Sequence, residues 1–187
     1  SGKKVIVVIF SHGELSQPLI KEDIVISKRV LETKLAHSTI GSKKTFFLGI
    51  ADAKIFIKIN DIELQKKIIW LIEKYKPSKI FTHSSSDIFH PDHLAVYLLV
   101  SSAIKKLDKD YQLYTFDVWN PFSFFKRNTP KLYVDTSTTF DKKIQLLKEF
   151  KSQILFIYIL IPIVYLRALY YGYINKCKYA EKFYKII

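Results

Sequence analysis

Cysteine is almost absent. Cys177 stands alone in 187 residues, which excludes an internal disulfide and any cysteine-rich zinc module and points to a cytoplasmic compartment. Glycine is scarce as well, and the five glycines are never grouped, so a nucleotide-binding domain with a glycine-rich phosphate loop is disfavoured. Arginine occurs only at Arg29, Arg127 and Arg167, and every other basic residue is lysine. Lysine offers a point charge where phosphate and guanine recognition favour a bidentate fork, so no nucleic-acid partner is expected. Acidic residues are outnumbered, 17 against 30, and the net charge of +13 favours anionic partners, although a lysine-rich solvated surface is the favoured account of it. The opening Ser-Gly-Lys-Lys leads into an apolar stretch, Val5 to Phe10, too short for an export signal. The chain is 49% apolar. A domain of this length hides roughly 70% of its extended-chain surface, so one folded domain over residues 1–187 is expected and disorder is excluded.

The pattern is one of alternation. Val5 to Phe10 reads as a buried strand of the kind that has partners on both sides. A polar turn at Ser11 to Glu14 follows, then a helix from about Glu22 to His37 with Ile24, Val25, Val30, Leu31 and Leu35 at helical spacing. Lys44 to Ile50 gives a strand, Asp61 to Tyr75 a helix closed by Pro77, and Lys79 to Thr82 a strand. A helix from Pro91 to about Lys106, strands at Leu113 to Trp119 and Lys131 to Val134, and a helix over Thr138 to Gln153 complete the series. Strands alternating with helices predict an α/β fold: a doubly wound, mostly parallel, Rossmann-like sheet flanked by helices, with a C-terminal helical segment over about 138–187. Function in such sheets gathers beyond the carboxyl ends of the strands, here Ser11 to Glu14, Gly49 to Asp52 and His83 to His93.

Ile154 to Leu166 is apolar apart from tyrosine hydroxyls, but as a helix it spans only about 20 Å, too little to cross a bilayer. Extension to Ile174 takes in Pro162, Arg167 and Gly172. A buried or oligomer-facing helix is expected, and peripheral contact with an anionic membrane is favoured over a span.

His83, Asp87, His90, Asp92 and His93 crowd the end of one strand. Two imidazoles and an acid at a helix start suggest metal-assisted hydrolysis, with one imidazole ligating zinc and a second, oriented by a carboxylate, stabilising an oxyanion or protonating a leaving group. The bland account is a helix-dipole acid beside solvated loop histidines. A catalytic zinc needs at least three protein ligands, so partners from elsewhere are required.

Several blocks in order then resemble the LmbE-like, or PIG-L, family of zinc-dependent N-acetylglucosamine deacetylases. Lys4 to Val8 running into Ser11-His12-Gly13-Glu14 resembles a family strand and turn, Arg29-Val30-Leu31-Glu32 its Arg-x-x-Glu helix, and Phe47 to Asp52 its Leu-Gly-x-x-Asp block. Thr82-His83 with His90-Pro91-Asp92-His93 resembles the metal block. Val134 to Ser137, Lys151 to Gln153, Arg167 to Gly172 and Tyr179 to Phe183 resemble C-terminal blocks. The resemblance implies His93 as a zinc ligand, His90 as the catalytic imidazole facing the tetrahedral intermediate or leaving amine, and Asp92 as its orienting acid. It also implies Arg29 and Asp52 as contacts to an N-acetylated amino sugar or glycoconjugate.

One departure matters more than the matches. The family's principal motif, His-Pro-Asp-Asp-Glu, supplies two zinc ligands and the carboxylate base, and no such string occurs here. A leading strand and helix are therefore expected to be missing, and the other zinc ligands to come from that motif. Asp87 stands three residues before His90, where the resemblance implies two. The expected function is metal-dependent deacetylation requiring the absent motif. The alternative is an inactive sugar-binding or scaffold homologue, with Ile154 to Ile174 used for self-association or membrane contact.

Overall fold

The computed structural model describes residues 3–87, 90–118 and 128–187. The elements are β1 (Ile6–Ile9), α1 (Glu22–Ile40), β2 (Lys44–Phe47), α2 (Ile62–Tyr75), β3 (Lys79–His83), α3 (Pro91–Lys105), β4 (Gln112–Phe116), β5 (Lys131–Asp135), α4 (Phe140–Glu149), α5 (Ile154–Ile174) and β6 (Ala180–Lys185). Short 3-10 turns lie at Glu14–Ser16, Phe56–Lys58 and Lys151–Gln153. The α/β alternation is as predicted. The chain divides into two compact units, Ser1–Ala53 with Thr136–Leu166 and Lys54–Asp135 with Arg167–Ile187.

In the first unit β1 and β2 pair in parallel, Ile6 opposite Lys44 through Ile9 opposite Phe47, with α1 as the crossover. Among the described residues β1 has only this partner, and its four residues are half-buried, less covered than an apolar run of this kind predicts. Glu22 and Asp23 complement the dipole at the start of α1, and Gly41 closes the helix with φ 72°, a left-handed value. The face α1 buries is not the expected one. Val25, Arg29, Thr33 and Ala36 turn inward, while Leu31 and Leu35 are 68% and 54% exposed. Hydrogen bonds account for that rotation: Arg29 reaches back to the turn after β1, and Glu32 reaches the turn before α5.

Both Glu32 oxygens are engaged there, accepting from Ser152 N–H at 2.9 Å and from Ser152 Oγ at 2.5 Å, and Gln17 Nε2 donates to the Ser152 carbonyl. Ser152 is buried, so Glu32→Ala leaves two donors without acceptors. It is expected to lower unfolding free energy by about 1–3 kcal/mol, with Glu32→Gln closer to the native value. Chemical denaturation measures this, and a loss below about 0.5 kcal/mol would show the contact to be incidental.

In the second unit a four-stranded sheet has the order β3-β4-β6-β5. β3 and β4 are parallel, and β6 runs antiparallel to both β4 and β5, so this sheet is mixed rather than mostly parallel. Asp61 caps α2 by accepting from Leu64 N–H at 3.1 Å, and Lys76, at φ 42°, ends it. Pro91 opens α3, which buries Ala95, Val96, Leu99, Val100, Ala103 and Ile104. Leu99, Ala103 and Leu113 are fully covered at the centre of this core.

The helical segment expected to run to 187 ends at Ile174. Lys176 adopts φ 56°, Cys177 N–H bonds back to the Gly172 carbonyl at 2.9 Å, and the chain returns as β6 between β4 and β5. Strands on both sides supply what Glu181 and Lys182 withhold in local preference, and Tyr184 is buried. The expected strand over Leu113 to Trp119 ends at Phe116, and Trp119 lies outside the described residues.

Candidate functional site

β3 delivers His83 to its carboxyl end, in register with Phe116 of β4, and Ser84 N–H donates to the Phe116 carbonyl at 2.9 Å. The chain is then fastened stepwise. Asp87 N–H donates to the Ser84 carbonyl, His90 N–H to that of Asp87 and His93 N–H to that of His90, at 3.2, 3.1 and 2.9 Å. Ile88 and Phe89 of this loop lie outside the described residues. With Pro91 in its first turn, α3 starts at once and places His90 and His93 one turn apart.

The rings of His83 and His93 stack at 3.8 Å between centroids, and those of His90 and His93 at 4.0 Å. Asp87 is fully buried, and its Oδ2 accepts from His93 Nδ1–H at 2.7 Å and from Val118 N–H at 3.2 Å. A carboxylate can only accept, so His93 donates from Nδ1 and turns Nε2 away from Asp87, the orientation that prepares an imidazole for a metal. One ligand atom each of His83, Asp87 and His93 falls within 4.8 Å of the others. His83 Nδ1 is buried without a hydrogen-bond partner among the described residues. Burial first, and then the neighbouring His93, pushes the His83 pKa down to about 3, against the opposing pull of Asp87. His83, with its unpartnered ring nitrogen, and His93, oriented from behind by Asp87, offer imidazole donors of the kind that suit zinc or a similar divalent ion.

Asp92, expected to orient His90, makes a different contact: Oδ1 accepts from Ile55 N–H at 3.2 Å, and Oδ2 is buried without a partner among the described residues. Ser86 Oγ donates to Asp117 Oδ1 at 3.0 Å beyond β4. Arg167 from α5 donates to the Asp117 and Val118 carbonyls at 3.1 Å each, fixing the backbone whose Val118 N–H holds Asp87.

In the first unit Arg29 and Asp52 lie in one network around the turn after β1. Arg29 donates to the Gly13 carbonyl at 3.2 Å and is buried. Desolvation lowers its pKa, opposed by Glu32, Asp52 and Glu14. Asp52 accepts from Ser11 Oγ at 3.3 Å and Leu15 N–H at 3.2 Å, and Glu14 Oε1 accepts from Asp52 N–H at 2.7 Å. Gly13 has φ 69°, a left-handed value that favours glycine, and a Cβ there would lie 2.4 Å from the Arg29 guanidinium and displace it. Glu14 Oε2 and Arg29 Nε are buried without partners among the described residues.

Residues 1–104, which hold both this turn and the histidine loop, match the PIG-L family, described as GlcNAc-PI de-N-acetylase. The chain belongs to the PIG-L family. No curated protein matches it in sequence. Solved structures share the PIG-L fold at low identity. The N,N'-diacetylchitobiose deacetylase from Pyrococcus horikoshii, complexed with its inhibitor MPG, is 17% identical with a TM-score of 0.76, covering 99% of this chain and 73% of its own. The A40926 pseudoaglycone deacetylase Dbv21 is 17% identical at 0.78, covering 100% and 86%. GalB, the 4-carboxy-2-hydroxymuconate hydratase from Pseudomonas putida KT2440, is 15% identical at 0.79, covering 99% and 96%. A hydratase beside deacetylases shows that the fold alone does not choose the reaction.

Two members of the PIG-L chain's histidine cluster, His83 and Asp87, are joined to His93 only by the fold. The available signals were the Thr82-His83 pair at the strand end and an acid in the same loop, but spacing alone does not show that the loop folds back on α3.

Proposed function

We propose that this chain is the sugar-deacetylating part of a metal-dependent PIG-L hydrolase, acting on an N-acetylglucosamine-type sugar or glycoconjugate. The observation that carries the reading is the His83–Asp87–His93 cluster within the family-matched residues. The donor set favours zinc. The chemistry such an ion supplies when bound is Lewis-acid polarisation of the amide carbonyl and a water nucleophile at neutral pH.

The chain's own residues would do the rest. His93 offers Nε2 to the ion while Asp87 fixes its tautomer. His90, stacked on His93 at the helix start, would face the developing oxyanion and return a proton to the leaving amine. Asp92 would hold the start of α3 in place through Ile55 and add negative charge near His90. Arg29 and Asp52, held in the network around Gly13, are proposed as contacts to the sugar. The carboxylate base is assigned to a His-Pro-Asp-Asp-Glu block that these residues do not contain, so this chain alone is proposed to bind zinc weakly and to be inactive.

Release of free amine from an N-acetylglucosaminyl conjugate by the native protein tests the reading. Activity is expected to disappear on chelation and return with zinc. Sugar binding without turnover in the native protein, unchanged by chelation, would favour the alternative that the lacking motif supports: an inactive sugar-binding or scaffold homologue.

A further inference from the structure

Helix α5 is apolar around its whole circumference, yet only half of it is covered. Ile157, Ala168 and Tyr171 are buried on one side. At about 100° per residue, Leu155, Ile159, Pro162, Leu166, Leu169 and Tyr173 fall on the opposite side, and all are exposed. Leu155, Leu166 and Tyr173 are 70%, 63% and 85% exposed. The band runs about 27 Å along the axis. A helix apolar on every side is ordinarily covered on every side, and an exposed strip of this length marks a contact surface.

Charge selects the occupant. From Phe150 to Ala180 the chain contains no acidic residue, and exposed Lys148, Lys151, Lys176 and Lys178 flank the two ends of the band in a protein of net charge +13. A second copy would bring the same sign of charge to the face, whereas an anionic lipid surface complements it. The C-terminal part of the helix is also joined to the fold, which favours a helix lying on a bilayer over one crossing it. Arg167 donates to two backbone carbonyls, and Gly172 lies against the carbonyls of Cys177 and Lys178. We infer that α5 is a membrane-docking face, lying flat on an anionic bilayer with its exposed apolar arc in the interface and its flanking lysines at the headgroups.

This inference stands apart from the deacetylase reading and is tested without it. The native protein is floated with vesicles of phosphatidylcholine containing about 30% phosphatidylserine, and with phosphatidylcholine alone. Binding to the anionic vesicles is expected, weakened at roughly 0.5 M salt, and reduced at least about tenfold in Leu155→Glu/Leu166→Glu/Tyr173→Glu. Because these side chains are exposed, the variant should unfold at the native temperature. A milder pair, Leu166→Ser/Tyr173→Ser, should show a smaller loss of binding, and Lys151→Glu/Lys176→Glu should lose selectivity for the anionic vesicles. No binding to either vesicle, or binding that these variants leave unchanged, would overturn the inference. So would a dimer in solution that the triple variant dissolves, since it would assign the face to a second copy.

Discussion

His93→Ala in the native protein is expected to lower deacetylase activity by at least about 1,000-fold, while Asp87→Asn lowers zinc affinity by about 10–100-fold and leaves measurable turnover. His93 contributes the ring nitrogen that faces away from Asp87, and its removal deletes a ligand and opens the stack between His83 and His90. Asp87→Asn keeps a neutral acceptor for Val118 N–H but loses the charge that holds the His93 proton on Nδ1. His90→Ala separates the roles, since it should lower kcat with zinc affinity nearly unchanged. Zinc titration beside amine-release kinetics distinguishes these outcomes. Equal zinc affinity in native protein and His93→Ala would remove this cluster as the metal site.

Gly172→Ala should be among the most destabilising single-methyl changes in the chain. A Cβ at this position would lie 2.6 Å from the Lys178 carbonyl oxygen and 2.7 Å from that of Cys177. Both are backbone atoms, and the segment that carries them is held by the Cys177 N–H to Gly172 bond and continues into β6. Relief therefore requires the turn to move and β6 to shift against β4 and β5. Overpacking of this kind costs about 1–3 kcal/mol, roughly 2–12 °C in melting temperature for a domain of this size. Tyr173→Ala, one residue on, removes an exposed ring and should melt with the native protein in the absence of membrane. A Gly172→Ala melting temperature within about 1 °C of native would show that the turn relaxes without strain.

Local chemistry made some parts of this protein legible in the sequence. Pro91 after a polar loop marked the start of α3, and apolar spacing from Asp61 to Tyr75 gave α2 within a residue. The histidine loop at the end of β3 was visible because three imidazoles and two acids crowd one short segment. Other features depended on groups distant in sequence. The α1 apolar residues pointed to Leu31 and Leu35 as inner positions, but Arg29 and Glu32 bond to Gly13 and Ser152 and rotate a different stripe inward. Nothing local separates β6 from the helix before it, since Ala180, Glu181 and Lys182 lack strand preference, and its pairing comes from β4, more than sixty positions earlier, and from β5.

The alternation of strands and helices, the basic charge, the α5 apolar run and the loop that carries the histidines are all present in the order of the residues alone. These follow from periodicity and composition, which act over a few residues. Tertiary structure decided which α1 face is buried, that Asp87 rather than solvent holds His93, that Asp92 turns to Ile55, and that half of α5 stays uncovered. Each depends on a partner supplied by another part of the fold, and a hydrogen bond or covered surface has no energy to contribute until that partner is in place.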